Sequence, residues 1–369
     1  MKKSLIALAA LAAVSAASAQ STVTISGNLD VGLTAANVNG VKTTTMTSGL
    51  ASTSKLIIQG TEDLGGGMKA RFYTETGLAA TTHLGSSSTS ATASTTTYIS
   101  AERTSTAIGD RGIYVGLVGG FGEINMGRIP HQTGAYGIGF AGVQNAFTNA
   151  VGAGSAHPGQ NSDALLTSQS QGRANNSFLY TTPNFSGITA KIQHSLGGGT
   201  GDDSAGSRTT YVLNFTQGPI ALEAMASERS AYAANATGDA NSFTPAQTGA
   251  WSAYAEGAKV SESAIGAKYD LGVAVLGLGY AKQDSTSIAG ALTTLSATGV
   301  SVALPVGPWT LVGAYARINP VSNAAAYNST SLSGQYAFSK RTTAYAAFRS
   351  NNQASGKDSL NVIGLNHSF

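Results

Sequence analysis

The stretch Asp358 to Phe369, DSLNVIGLNHSF, decides the fold. Ile363, Leu365, His367 and Phe369 share one parity, and Gly364, Asn366 and Ser368 share the other. A period of two puts the sets on opposite faces of a β-strand, one apolar or amphipathic and one small or polar. On a free sheet edge in water, such an apolar face invites aggregation. In a closed barrel in lipid, the same face lies against hydrocarbon and its terminal ring sits at headgroup level. The strand therefore reads as the closing strand of an outer-membrane β-barrel.

Earlier segments repeat the pattern. Val23, Ile25, Leu29 and Val31 alternate with Thr24, Ser26, Asn28 and Asp30. Ile188, Ala190 and Ile192 alternate with Thr189, Lys191 and Gln193, and Tyr211, Leu213 and Phe215 with Thr210, Val212 and Asn214. A polar face of this kind fits a soluble sandwich or a wet lumen equally well, so connection lengths have to decide. Tight connections are predicted at Glu62–Gly67, Gly119–Gly122, Thr182–Ser186, Gln217–Pro219, Asp270–Gly272, Pro305–Pro308 and Ser339–Arg341. Longer ones are predicted between them, at about 35–49, 78–110, 130–173, 197–206, 228–260, 284–292, 319–328 and 352–357. Short and long alternate, as they do when all turns lie on one side of a membrane and all loops on the other. The segments number sixteen, an antiparallel all-β barrel of a size at which side chains no longer fill the interior and water enters.

The N-terminus and the composition agree. Lys2 and Lys3, the apolar run Leu5 to Val14 and the small residues Ala17-Ser18-Ala19 read as a signal peptide over 1–19, leaving a single barrel domain at 20–369. No other apolar run reaches the roughly 18 residues of a membrane helix. There is no cysteine, so disulfides, thiolate metal sites and thiol nucleophiles are excluded. Charged residues make up 11%, against roughly 25% in a typical soluble domain. Formal charge is +3, and +1 without Lys2 and Lys3, which gives no footing for a nucleic-acid partner.

Seven stretches in order carry a family resemblance: STVTISGNLDVGL after the signal, GTEDLGGGMKARFYTETG at Gly60–Gly77, RGIYVGLVGGFGEINMGR at Arg111–Arg128, NNSFLYTTPNFSG at Asn175–Gly187, AIGAKYDLGVA at Ala264–Ala274, SKRT at Ser339–Thr342, and the terminal GLNHSF. The chain resembles the general porins of Gram-negative bacteria in their β-proteobacterial form. That resemblance implies a homotrimer of sixteen-stranded barrels with short periplasmic turns, long extracellular loops and a third loop folded inward to narrow the pore. It also implies contact with outer-membrane lipid and lipopolysaccharide, no cofactor, and a C-terminal assembly signal in Leu365, His367 and Phe369 that is read by the barrel-assembly machinery.

A diffusion pore has no catalytic residues; charge and width at its constriction are its chemistry. The resemblance places basic wall residues at Lys55 and Arg111. Alternation adds Arg71, which shares a parity with Lys69, Tyr73 and Glu75. A third basic wall position falls on Leu179; Arg173, six residues earlier and of the same parity, either replaces it or sits in the loop. The third loop, Ile129 to Gly172, carries one carboxylate, Asp163, and two histidines, His131 and His157. Several wall cations facing one loop acid imply a weak to moderate anion preference.

Other signals are weaker. Gly137 to Gly142 spells GxGxxG, but without a strand–helix unit or a downstream acid it makes no nucleotide site. The histidines lack metal-ligand spacing. His194 is the one conceivable base for a barrel hydrolase, yet its parity puts it on the apolar face. Asp202 and Asp203 are two carboxylates in a loop, a poor cation cage. Rival readings are a substrate-selective channel, a barrel enzyme and an adhesin.

Overall fold

The structure is a computed structural model, and it describes residues 22–38, 40–78, 80, 108–130, 132, 173–196, 207–230, 259–286, 292–319, 326–353 and 356–369. The strands in chain order are β1 (Thr22–Val38), β2 (Val41–Ser48), β3 (Lys55–Gly65), β4 (Met68–Gly77), β5 (Gly112–Gly119) and β6 (Gly122–Pro130). They continue with β7 (Arg173–Thr181), β8 (Ile188–Ser195), β9 (Arg208–Gln217), β10 (Ile220–Ser230), β11 (Lys259–Asp270) and β12 (Val275–Thr286). The last are β13 (Leu292–Val306), β14 (Trp309–Asn319), β15 (Tyr327–Ala337), β16 (Thr342–Gln353) and β17 (Gly356–Ser368).

From β3 onward each strand pairs antiparallel with the next, and β17 closes on β1, with Leu29 opposite His367 and Leu33 opposite Ile363. Both β2 and β3 pair with β1, one above the other, so the seventeen strands fill sixteen places in the wall. Closure leaves no free edge, the condition under which strands can cross a bilayer. The terminal ring completes the seam: Phe369 exchanges backbone hydrogen bonds with Gly27, and a Cβ at Gly27 would lie 2.3 Å from that ring. His367 holds Thr342 on the neighbouring strand through Nδ1 at 2.9 Å.

The alternation resolves which side is which. Tyr211 and Leu213 are 56% and 52% exposed on the outer face, while Thr210, Val212 and Asn214 are 1%, 4% and 8% exposed on the inner one. Outward-facing Val23, Ile25, Ile113, Val115, Leu278, Val300 and Ile363 extend the same apolar belt around the barrel.

All seven tight connections fall where the sequence placed them, at one end of the barrel. Two of the long ones do not exist. The stretch 35–49 is mostly strand, because β1 and β2 stay paired as far as Val38 opposite Val41. Likewise β16 and β17 stay paired as far as Gln353 opposite Gly356, so 352–357 is a hairpin. Their Asn, Gly, Thr and Ser content resembled loop composition, but ladder pairing carries both hairpins past the apolar belt. The signal segment 1–19 and most of the third loop lie outside the described residues.

Candidate functional site

The inner faces of β3 to β7 gather the charged residues in two tiers. In the upper tier Glu75 sits among three cations. Arg111 donates through Nε to Glu75 Oε1 at 2.6 Å, Lys55 Nζ lies 3.7 Å from Oε2, and Arg173 Nη2 lies 3.9 Å from Oε1. The Tyr73 hydroxyl donates to the other carboxylate oxygen at 2.5 Å. Three positive charges surround this one carboxylate; Asp110 beside Gly77 and Arg128 beside Asp110 add one charge of each sign, so the excess on this part of the wall is two.

Each cation arrives by a different local route. Lys55 starts β3 opposite Asn28 and Gly77, on the inner parity of its strand. Arg111 has the parity of the outward-facing Ile113, Val115 and Leu117, so alternation alone would send it into lipid. It lies in the bend before β5, where Gly109 adopts φ +79°, and its side chain turns inward across Gly77. A Cβ at position 77 would sit 3.3 Å from Arg111 Cδ, so glycine keeps that path open. The bend is tied down where Asp110 Oδ1 accepts from the Gly77 amide at 2.8 Å and the Asp110 carbonyl accepts from Arg128 Nε at 2.8 Å. Arg173 begins β7 beyond a bulge in the β6–β7 register, beside Asn176 at φ +48°, and its Nε donates to the Arg111 carbonyl at 2.8 Å. A bulge re-aims side chains at the rim of a barrel in this way. Leu179 is also on the inner side and buried, so the basic group at this corner is Arg173.

The lower tier lies four residues down β4, about 13 Å nearer the short-turn end. Here Arg71 pairs with Glu123 of β6, reaches the Tyr114 hydroxyl at 3.3 Å and stands 5.5 Å from the centre of that ring. Tyr73 and Tyr114 stack between the tiers with ring centres 5.0 Å apart. Arg71 does face inward, as its parity requires, but it belongs to a separate and electrically balanced pair.

Asp163, His131 and His157 lie outside the described residues. Their neighbour Gln132 turns inward from the end of β6. Its amide donates to Gln193 Oε1 at 2.8 Å, and Lys191 Nζ donates to Gln132 Oε1 at 3.0 Å, both on the inner face of β8. The strongest site residue that the sequence reading left out is Glu75, along with Tyr73, Tyr114 and Glu123. Glu75 was visible as a carboxylate on the parity of Arg71; nothing local announced that three cations, from β3, the bend before β5, and β7, converge on it. Further round the wall, Arg208 pairs with Glu262 and donates to Ser227 at 2.8 Å, a further inner ion pair with no motif of its own. His194 is on the outer face, bonded to Thr209 at 2.9 Å, which suits an interfacial side chain.

The chain matches the Gram-negative porin family over residues 7–355. It is 35% identical to outer membrane porin protein 32 of Delftia acidovorans over 204 residues, a match that spans 52% of this chain and about half, 48%, of that protein. Among solved structures, an anion-selective porin from Comamonas acidovorans superposes with a TM-score of 0.70 at 21% identity, covering 95% of this chain and all of that one. OmpT, an outer membrane protein of Vibrio cholerae, superposes in its trimer form with a TM-score of 0.63 at 13% identity, covering 95% of this chain and 99% of that one. The closed sixteen-place barrel and a family match along most of its length lead to one conclusion: this chain belongs to the Gram-negative porins.

Proposed function

We propose that the chain forms a water-filled diffusion channel in the Gram-negative outer membrane, admitting small hydrophilic solutes and ions with a weak to moderate preference for anions. The observation that carries the preference is the upper tier, where Lys55, Arg111 and Arg173 share the carboxylate of Glu75, with Asp110 set against Arg128. An excess of two charges about 8 Å from a passing ion in water is worth roughly 1 kcal/mol before screening. Salt near physiological strength, with a Debye length of about 8 Å, removes much of that. The preference is therefore modest. The solved neighbour described as anion-selective supports the same direction. Reversal potential across a planar bilayer under a salt gradient tests it: a shift toward the anion potential is expected, and a shift toward the cation potential overturns it.

The working unit is a homotrimer in contact with outer-membrane lipid and lipopolysaccharide, inserted by the barrel-assembly machinery through the strand bearing Leu365, His367 and Phe369. The trimer form of the OmpT neighbour supports this assembly. Conductance steps in threes and a trimer band on native gels are expected. A second reading, a channel that prefers particular solutes, is favoured by the Tyr73–Tyr114 stack on the inner wall, since paired rings offer a face to planar or sugar-like solutes. Saturable block of ion current by such a solute would establish it.

A further inference from the structure

Between β2 and β3 the wall contains a mismatch. Val31 of β1 pairs with Ser48, and Asn28 pairs with Lys55. Only Leu29 and Asp30 lie between on β1, facing the six residues 49–54 on the partner side. A sheet accommodates one extra residue as a bulge. Four extra residues have to leave its plane, and a polar backbone leaving toward lipid would be unsatisfied.

They leave inward. Asp30 is on the inner parity and fully buried, and its carboxylate accepts from the amides of Leu50 at 2.8 Å, Ala51 at 3.2 Å and Ser52 at 3.1 Å. Tyr345 Oη donates to the same group at 2.6 Å and Asn366 Nδ2 at 3.0 Å. The Asp30 backbone takes part as well, accepting from the Gly49 amide at 2.8 Å and exchanging hydrogen bonds with the Ser54 hydroxyl at 2.9 and 3.1 Å. Asn28 Nδ2 reaches the carbonyls of Ser52 and Thr53, each at 3.3 Å. Leu50 then packs on inner-face Ala36, Tyr345, Ala347, Leu360 and Val362. Two inner glycines make the room: a Cβ at Gly32 would be 2.8 Å from Leu50 Cδ1, and one at Gly364 would be 2.3 Å from the Tyr345 hydroxyl.

We propose that the bend Gly49–Ser54 is a built-in ledge that narrows the lumen from the β1 side, and that Asp30 is the positioning residue that latches it and thereby holds Lys55, the next residue along, in front of Glu75. This rests on the channel reading. A carboxylate with five donors from three directions permits little movement, so the ledge is a fixed part of the pore outline. The side chains of Ser52 and Thr53, at the tip of the bend, are only partly covered.

The absence of native cysteine makes a direct test clean. Ser52→Cys, reconstituted as the full barrel, is treated with a negatively charged thiol reagent during single-channel recording, with Tyr211→Cys on the lipid face as control. The expected result is a stepwise loss of roughly a third of the current for Ser52→Cys, as expected when a charged group enters a narrow wet passage, and none for the control. Asp30→Asn removes the charge that gathers the three amides. In folded, heat-modifiable barrels it is expected to raise conductance about 1.5-fold. Because Asp30→Asn also deletes a charge, the reversal potential is read on Tyr345→Phe, which removes one donor to Asp30 and changes no charge; it is expected to move toward zero as Lys55 loses its position. A residue that merely stabilises the wall would leave the reversal potential of folded Tyr345→Phe unmoved. Unchanged current after modification of Ser52→Cys overturns the ledge, and unchanged reversal potential in folded Tyr345→Phe overturns the positioning role. If Asp30→Asn does not fold, the thiol arm alone decides the ledge. An unmodified chain that passes no current refutes the channel reading instead.

Discussion

The inner wall is built in two different ways. On β3 to β7 it is a strip of charged and phenolic groups, with three cations around Glu75 above and the Arg71–Glu123 pair below. On β1, β16 and β17 the same inward parity carries Leu50, Tyr345, Ala347, Leu360 and Val362, packed as in a soluble core around one carboxylate. Alternation assigns a residue to the inside of the barrel; it does not make the inside wet. On the first side the polar groups pair with one another around Glu75 and Glu123. On the second, Asp30 spends its whole hydrogen-bonding capacity on holding backbone in place.

If that contrast is correct, truncation at the packed side should disturb the fold far more than truncation at the charged side. Asp30→Ala leaves the amides of Leu50, Ala51 and Ser52 and the Tyr345 hydroxyl without their common acceptor in a buried place. The expected cost is on the order of 3–5 kcal/mol. It should appear as a lower unfolding temperature of the heat-modifiable barrel and a smaller folded yield. A melting profile like that of the unaltered chain would put Asp30 in water and erase the distinction between the two sides.

The charged side should answer in selectivity instead. Glu75→Gln keeps one acceptor oxygen, for Arg111 or for the Tyr73 hydroxyl but not both, and raises the excess charge from two to three. The anion-to-cation permeability ratio is expected to rise about 2- to 3-fold, once screening is allowed for. Arg111→Gln goes the other way, lowering the excess to one and the ratio by about 2-fold. Reversal potentials under a salt gradient measure both. A change of the same sign in the two variants would show that the tier acts through shape and not through charge.

Much of this was legible in the sequence, and what was hidden shares a cause. The period of two in DSLNVIGLNHSF and its repeats gave the barrel, its outer face and all seven tight turns, because those features depend on residues next to one another in the chain. Arg71 was readable from parity, and Lys55 came from the resemblance. Arg111 came from the resemblance too, against a strand parity that points outward, and the structure supplies the reason in the bend at Gly109 and the space over Gly77. Arg173 needed the bulge near Asn176, which no local pattern announces. The bend at 49–54 and the role of Asp30 depend on Tyr345 and Asn366, more than three hundred residues away, and SGLASTS reads as ordinary loop composition. Pairing range, more than residue type, separates the two groups.

The smallest effect is expected at Arg71, and it sharpens the division within the charged side itself. If the two tiers acted as one field, removing any cation would lower anion preference equally. Arg71 is instead committed to Glu123, which also accepts from Asn125 Nδ2 at 2.7 Å, and it is further held against Tyr114. Its pair contributes almost no net charge, and about 13 Å of strand separate it from Glu75, more than the roughly 8 Å Debye length of physiological salt. Arg71→Gln leaves Glu123 without its counter-ion, so the permeability ratio should fall, but by less than about 1.5-fold, and less than for Arg111→Gln measured alongside. Lowering the salt tenfold lengthens the screening distance about threefold and should bring the two variants closer together. A fall for Arg71→Gln as large as that for Arg111→Gln at physiological salt would mean that the tiers act together and that the constriction extends over both.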